Sequence, residues 1–318
     1  MSLPPMSPPP RSPPGPLRRL WGAWMEQVHR PVDSRPFALV RISACLCLVV
    51  DLVRVAALGL VPHLFHTYEQ GGLSKFQDPG WVAGDYLGTE AGPLLFWFTL
   101  ASFVLTMLGL GGRLNVLLGV LAYAQLGHLY STGDRGIDRA LRCLLLIVAV
   151  SPVFYRLSLG PLIGRARFAV SRWMPAWPEL LIRWLLVLIY LSAGTAKLIQ
   201  QPGWLSVQGT PVLYRILTDP MAGVVDPVWA EGLPWLWRLG GWATIAFELS
   251  APLLLTPWRR WWALCGVGLH IGIAATMDLG MFSWGMLSFY FVLLSPWVVA
   301  LLDRLGIGAP AAVEPPAP

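Results

Sequence analysis

Lysine is almost missing from this chain: Lys75 and Lys197 stand against twenty-one arginines. Either residue anchors a helix at a membrane, but only lysine carries an amine that burial turns toward a neutral base. Charge of either sign is scarce at 13%, against 55% apolar residues and a mean hydropathy of +0.59, which excludes a soluble domain. Asparagine occurs once, at Asn115, outside any N-x-S/T pattern, so no N-glycosylation acceptor is present. Four cysteines, Cys45, Cys47, Cys143 and Cys265, include no CxxC. Each falls inside an apolar run, which points to small core residues rather than disulfide or metal partners. GxSxG, Walker, HExxH and strand-linked glycine-rich patterns are also absent. The net charge of +6 contains no dense basic run, which argues against nucleic acid as a partner and for charge that orients the chain in a membrane.

Long apolar runs are what the chain has in quantity. They predict an all-α, polytopic integral membrane helix bundle of about eight transmembrane helices, at residues 37–61, 92–110, 114–130, 137–154, 180–198, 235–255, 261–277 and 282–302. The connections support an even number. With the amino terminus inside, thirteen arginines fall on the cytoplasmic side and about five basic residues on the other, which predicts a multi-pass protein of the cell membrane with both termini cytoplasmic. Two exported connections, 63–91 and 200–234, hold histidine, tryptophan, glycine and proline in a composition suited to short interfacial helices. The expected organisation is a disordered proline-rich tail at 1–19, a transmembrane domain at 20–302 and a disordered cytoplasmic tail at 303–318. The proline-rich start has no apolar core with a cleavage site, so the first span is expected to direct insertion.

Ionisable groups inside the spans carry the functional signal, because each costs about 2.5 to 3.5 kcal/mol at a helix centre. Asp51 and Arg54 are three residues apart and predict a neutralising pair on one face. His128 lies near the exported end of the third span, Glu248 in the sixth and His270 in the seventh. Lys197 ends the run LLIRWLLVLIYLSAGTAKL. Gly268 and Gly272 flank His270 with the spacing that lets helices approach closely. Taken singly, Lys197 reads as a snorkelling anchor and the others as satisfied packing groups; together they predict a shared polar cavity.

Three blocks resemble a known family. YLSAGTAKL followed by Trp204, FELSAPLLL from Phe247, and GLHIGIAATMDLGMFSWGMLSFYFVLLSP from Gly268 are similar to the membrane region of vitamin K-dependent gamma-glutamyl carboxylases and to the compact horizontally transferred transmembrane (HTTM) domain proteins. HRPVDSRPFALVRI, from His29, resembles the start of that domain, and the likeness runs over roughly residues 20–302. The resemblance implies that Lys197, led by Ala193 and Gly194, is the base that deprotonates a reduced vitamin K or related quinol. It implies that His128 assists later steps, that Glu248 is the acid at the head of the LSA motif, and that His270 is the histidine before the FS-x-GM block. The implied activity is quinol epoxidation coupled to carboxylation, with membrane lipid and quinone as partners and no metal. Two departures accompany the likeness: Ala196 stands where the carboxylases carry a second lysine, and only a short tail follows Leu302 where they continue into an exported domain. Two further readings stay open, a non-catalytic quinone- or lipid-binding scaffold and the membrane partner of a thiol-disulfide oxidoreductase. A transporter is less favoured, since neither paired inverted repeats nor broken helices are evident in the sequence.

Overall fold

The computed structural model describes residues 15–66, 68–73, 91–152, 156–160, 172–208, 210–220, 223–224 and 231–308. Lys75, Trp81, Arg165, Arg167, Trp229 and most of both proline-rich tails lie outside the described residues. Among the described residues the chain is all-α apart from one short strand pair. In order the elements are α1 (Pro16–His29), β1 (Pro31–Asp33), α2 (Arg35–Ala57), α3 (Val61–Phe65), α4 (Ala91–Met107), α5 (Gly112–Leu129) and α6 (Gly136–Val150). There follow β2 (Trp173–Pro175), α7 (Trp177–Thr195), α8 (Val212–Leu217), α9 (Pro234–Leu249), α10 (Arg259–Thr276), α11 (Phe282–Ser288), α12 (Tyr290–Leu293) and α13 (Ser295–Arg304).

Helices occupy each of the expected apolar segments, but their individual reach differs. Among the described residues only α2 and α7, the latter extended to Gln200, are long and apolar enough by themselves to cross a bilayer, and a third crossing is reached if the bent pair from Phe282 to Arg304 counts as one. That last segment is not the single straight span expected at 282–302. It bends by 86° after Leu293, where Pro296 sits in the first turn of α13 and cannot donate the hydrogen bond that would continue the preceding helix. The expected span at 235–255 is likewise interrupted, running as α9 and then a 3₁₀ turn from Ala251 to Leu255 that contains Pro252. The tails differ from expectation, since Pro16–Arg19 belong to α1 and Asp303 to α13.

α2 is the central strut, packing on α4, α6, α11, α12 and α13. Phe37, Val40, Ala44, Leu48 and Leu52 recur at three- and four-residue spacing and are buried, as one face of a helix surrounded by partners requires. The α4–α5 contact is clasped by the sole asparagine. Asn115 Nδ2 donates to Ser102 O at 3.0 Å and to Thr106 Oγ1 at 3.1 Å, and Gly119 leaves room for the Ser102 hydroxyl. Cys45 and Cys47 are core residues as expected, whereas Cys143 and Cys265 are exposed on α6 and α10. Both sit on faces turned away from the bundle, a distinction that membership of an apolar run does not reveal.

One end of the bundle is closed by an ion cluster. β1 pairs antiparallel with β2, Pro31 opposite Pro175, which brings the start of α2 to the start of α7. There Arg35, fully buried, donates to Asp33 at 2.8 Å and reaches Asp303 of α13 at 2.8 Å, while Arg172 donates to Asp33 at 2.9 Å. Burial alone would raise the Asp33 carboxyl, but the hydrogen bonds from Arg35 and Arg172 outweigh it and hold it below its ordinary 3.8.

Removing one partner of a buried pair strands the other charge. Asp33→Ala is therefore expected to destabilise the protein by about 3 kcal/mol, whereas Asp303→Ala, whose side chain is 46% exposed, is expected to lose less than about 1 kcal/mol. Because the folded value is depressed, the contribution of Asp33 is complete above about pH 4 and disappears as pH falls through the lowered value. Denaturation midpoints in detergent across that range check both statements.

Candidate functional site

α7 does not end as an ordinary α-helix. Its ladder widens into a π turn from Ala196 to Gln200, a distortion frequent at functional sites because it re-aims side chains. Within it Lys197 Nζ lies 2.6 Å from Glu248 Oε1 and 2.9 Å from Oε2, and 5.4 Å from the centre of the Trp204 ring. A carboxylate and an aromatic face together satisfy an ammonium group. The lysine side chain is 20% exposed and that of Glu248 9%, so the pair is sheltered without being sealed. Gly194 explains how α9 comes so close: a Cβ there would lie 3.0 Å from Glu248 Cβ and 3.0 Å from Leu249 Cδ2.

His270 stands in a separate but adjoining chain of buried polar groups. Its Nε2 is 2.6 Å from Tyr190 Oη, which is 2.8 Å from Tyr290 Oη. His270 Nδ1 is buried without a partner among the described residues. Tyr190 belongs to α7 and lies seven residues before Lys197, two turns along roughly the same face. Around it Trp262 and Phe247 stack with ring centres 4.3 Å apart, and Tyr190 meets Trp262 edge-on at 5.0 Å. Room for Tyr290 comes from Gly266, where a Cβ would overlap its ring. Gly268 and Gly272 are not the packing glycines expected from their spacing, since a Cβ at either would meet open space.

A second polar group forms where α5 turns into α6. Arg135 binds Asp138 through Nε at 2.9 Å and Nη2 at 3.0 Å, and also binds Asp51 of α2. Tyr123 Oη donates to Asp138 Oδ1 at 2.9 Å. The Asp51–Arg54 pair expected from sequence spacing does not form, because the guanidinium of Arg135 arrives from another helix and Arg54 is exposed. Nearby, Asp134 accepts from Arg142 at 2.7 and 3.0 Å and from Arg139 at 2.9 Å. Burial pushes the Asp134 carboxyl up, but the Arg142 and Arg139 bonds prevail and keep it below its ordinary value.

This second group borders a cavity of about 690 Å³, walled by Leu52, Val55, Phe65, Phe96, Leu126 and Phe282 as well as by Asp51, Arg135 and Asp138. That is the size and character of a small-molecule site. Phe282 also contacts the His270 ring, with centres 5.9 Å apart. Lys197, Glu248 and His270 do not line this cavity, so the single shared cavity expected from the sequence is not what forms. Of the four expected site residues, Lys197 and Glu248 are bonded and His270 lies in the adjoining chain. His128 is apart from them, exposed on the last turn of α5 with no bonded partner among the described residues. A histidine one position round the helix from buried Leu129 points away from the bundle.

Tyr190, Tyr290, Trp262 and Arg135 were not singled out by sequence reasoning. The seven-residue step from Tyr190 to Lys197 was a readable signal; the partners of Arg135 and Tyr290, on distant segments, left none. Comparison with protein-family models, curated proteins and solved structures matched nothing.

Because the close approach of α9 rests on Gly194, Gly194→Val is expected to separate Glu248 from Lys197. A cysteine pair placed at the two positions, Lys197→Cys with Glu248→Cys, should crosslink readily while Gly194 is kept. Adding Gly194→Val should slow crosslinking at least about tenfold, a loss of roughly 1.4 kcal/mol in close-approach population. Equal crosslinking with and without the valine substitution would remove the role given to Gly194.

Proposed function

We propose that the chain is a multi-pass protein of the cell membrane, with eight helical crossings and both ends at the cytoplasmic face, that oxidises a reduced quinone using Lys197 as the base. The crossing number and sidedness are supported by the ion cluster that brings the start of α2 and the end of α13 to one end of the bundle, and by the concentration of arginines in the connections at that end. Membership of the HTTM-like group, and the likeness to the gamma-glutamyl carboxylase membrane region, are part of the same proposal and rest on the sequence blocks.

The observation that carries the reading is the contact of Lys197 Nζ with both oxygens of Glu248. A reduced quinone supplies the hydroxyl proton to be removed and the electrons, and oxygen is the oxidant, one of its atoms ending in the epoxide and the other in water. The protein must then hold a base in surroundings from which water is largely excluded. Transfer of one proton along the 2.6 Å contact converts the ammonium–carboxylate pair into an amine and a carboxylic acid. The free amine takes the substrate proton, and the carboxylic acid keeps the proton it received until it is released. The fit of a quinone is supported by the apolar-walled cavity of about 690 Å³. From cavity to base the connection runs through Phe282, His270 and Tyr190, then along two turns of α7. Carboxylation of an acceptor is the step with least support in the residues at hand.

A second reading, a quinone- or lipid-binding scaffold without turnover, is favoured by one fact: Lys197 is held by Glu248 and does not line the cavity. Its extension to partnership with a thiol-disulfide oxidoreductase uses the same bound quinone as electron acceptor.

Purified protein given vitamin K hydroquinone, oxygen and bicarbonate is expected to form epoxide, and Lys197→Ala to lose it by at least about a hundredfold, the lower end of what a positioned base contributes. No epoxide from folded wild type overturns the enzymatic reading. Quinone binding that weakens in Lys197→Ala without any turnover in either protein would establish the scaffold instead.

A further inference from the structure

α1 is an amphipathic helix with no buried residue. Leu17, Leu20, Trp21 and Trp24 fall at spacings of three and four and are 81%, 68%, 63% and 43% exposed, so they form one unbroken apolar stripe facing away from the protein. The helix packs on α7, and its two partly buried residues, Met25 and Val28, continue the same stripe toward its C-terminal end. At the same end, α10 starts with the exposed rings of Trp258 and Trp261 enclosing Arg259 and Arg260.

Six arginines elsewhere in the bundle, Arg35, Arg135, Arg139, Arg142, Arg172 and Arg183, are ion-paired, while Arg54, Arg113 and Arg304 hold no carboxylate among the described residues. Arg30, at the end of α1, and Arg259 and Arg260 also hold none among the described residues. They are nonetheless close enough that the charges of Arg183, Arg260 and Arg30 all act on Arg259, with Glu179 the one acid among them and already bound to Arg183. Arg259 Nε is buried with no acceptor among the described residues. Glu26, four residues before Arg30, and Glu179 are the acids nearby, and neither is ion-paired to these three arginines among the described residues; the cations outnumber them, and tryptophans and leucines beside them supply an apolar floor.

We infer that the surface between α1 and the start of α10 binds the headgroup of an anionic phospholipid, with its phosphate on Arg30, Arg259 and Arg260 and its acyl chains along the Leu17–Trp24 stripe. Amphipathic helices with tryptophan on one face and arginine beside it lie in the headgroup–acyl boundary, and each cation near such a surface strengthens anion binding about fivefold. Charge complementarity selects the occupant: a second copy of this chain would bring the same unpaired arginines to the interface. The inference needs the membrane placement of the bundle but not its quinone chemistry.

Full-length protein in mild detergent, offered phosphatidylglycerol and phosphatidylcholine with the same acyl chains, tests it by counting retained lipid by native mass spectrometry. Wild type is expected to retain phosphatidylglycerol at least about tenfold over phosphatidylcholine. Arg30→Gln with Arg260→Gln should abolish that preference while leaving helix content by circular dichroism unchanged. Trp21→Ser with Trp24→Ser should lower retention of both lipids and keep the preference. Arg215→Gln, remote from this end, should change neither. Equal retention of the two lipids by wild type, displacement of lipid by inorganic phosphate alone, or the same loss from Arg215→Gln would overturn the site. So would a dimer broken by Leu17→Glu, since the stripe would then belong to a second copy.

Discussion

A single ammonium–carboxylate contact, between Lys197 and Glu248, ties the end of α7 to α9 and organises the candidate site around it. Two opposite charges brought out of water attract strongly, but each has first lost its hydration, so the contact is favourable only when both are held in place. The chain meets that condition with several local features at once. Gly194 lets α9 close onto α7, the π turn at Ala196–Gln200 re-aims the lysine, and Trp204 covers the amine.

The same rule governs the remaining charges at the heart of the bundle. Asp51 with Arg135 and Asp138, and Glu179 with Arg183, are joined so that few ions stand alone where water is scarce. Two of the links bridge different helices: α2 to α6 through the arginine at its N-cap, and α7 to α9 through Lys197. They therefore fix register as well as neutralising charge, since a helix that slid by one turn would leave an unpaired ion. At the end closed by Arg35 and Asp33 the same device ties three segments that are far apart in sequence. Against this background the arginines beside α1 are informative because three of them gather at one end of the bundle beside exposed tryptophans.

Much of the helical architecture was legible in the sequence, because apolar run length and amphipathic spacing are one-dimensional signals. Lys197 stood out in a chain that otherwise uses arginine, and it lies against Glu248, although the one cavity expected to join it with His128 and His270 does not form. Other features were hidden for physical reasons. Asp51 was assigned to Arg54 because spacing within a helix is visible and an arginine arriving from another helix is not. His128 was grouped with the polar residues by its depth along α5, while its orientation depends on which neighbour covers which face. Gly268 and Gly272 had the right spacing but the wrong azimuth, and Gly266 made the contact instead. The 86° bend after Leu293 turned on one proline inside an otherwise continuous apolar run.

The central claim is that Lys197 and Glu248 depend on each other in surroundings that tolerate neither alone. A double-mutant cycle on stability measures this dependence most directly, using Lys197→Met, Glu248→Gln and the two combined. Each single change should destabilise the protein by about 3 kcal/mol, by stranding a charge or a polar group. The combined protein should lie close to either single variant or above it. Losses that simply add would show that the two side chains answer to separate surroundings, and the account of the site would be wrong.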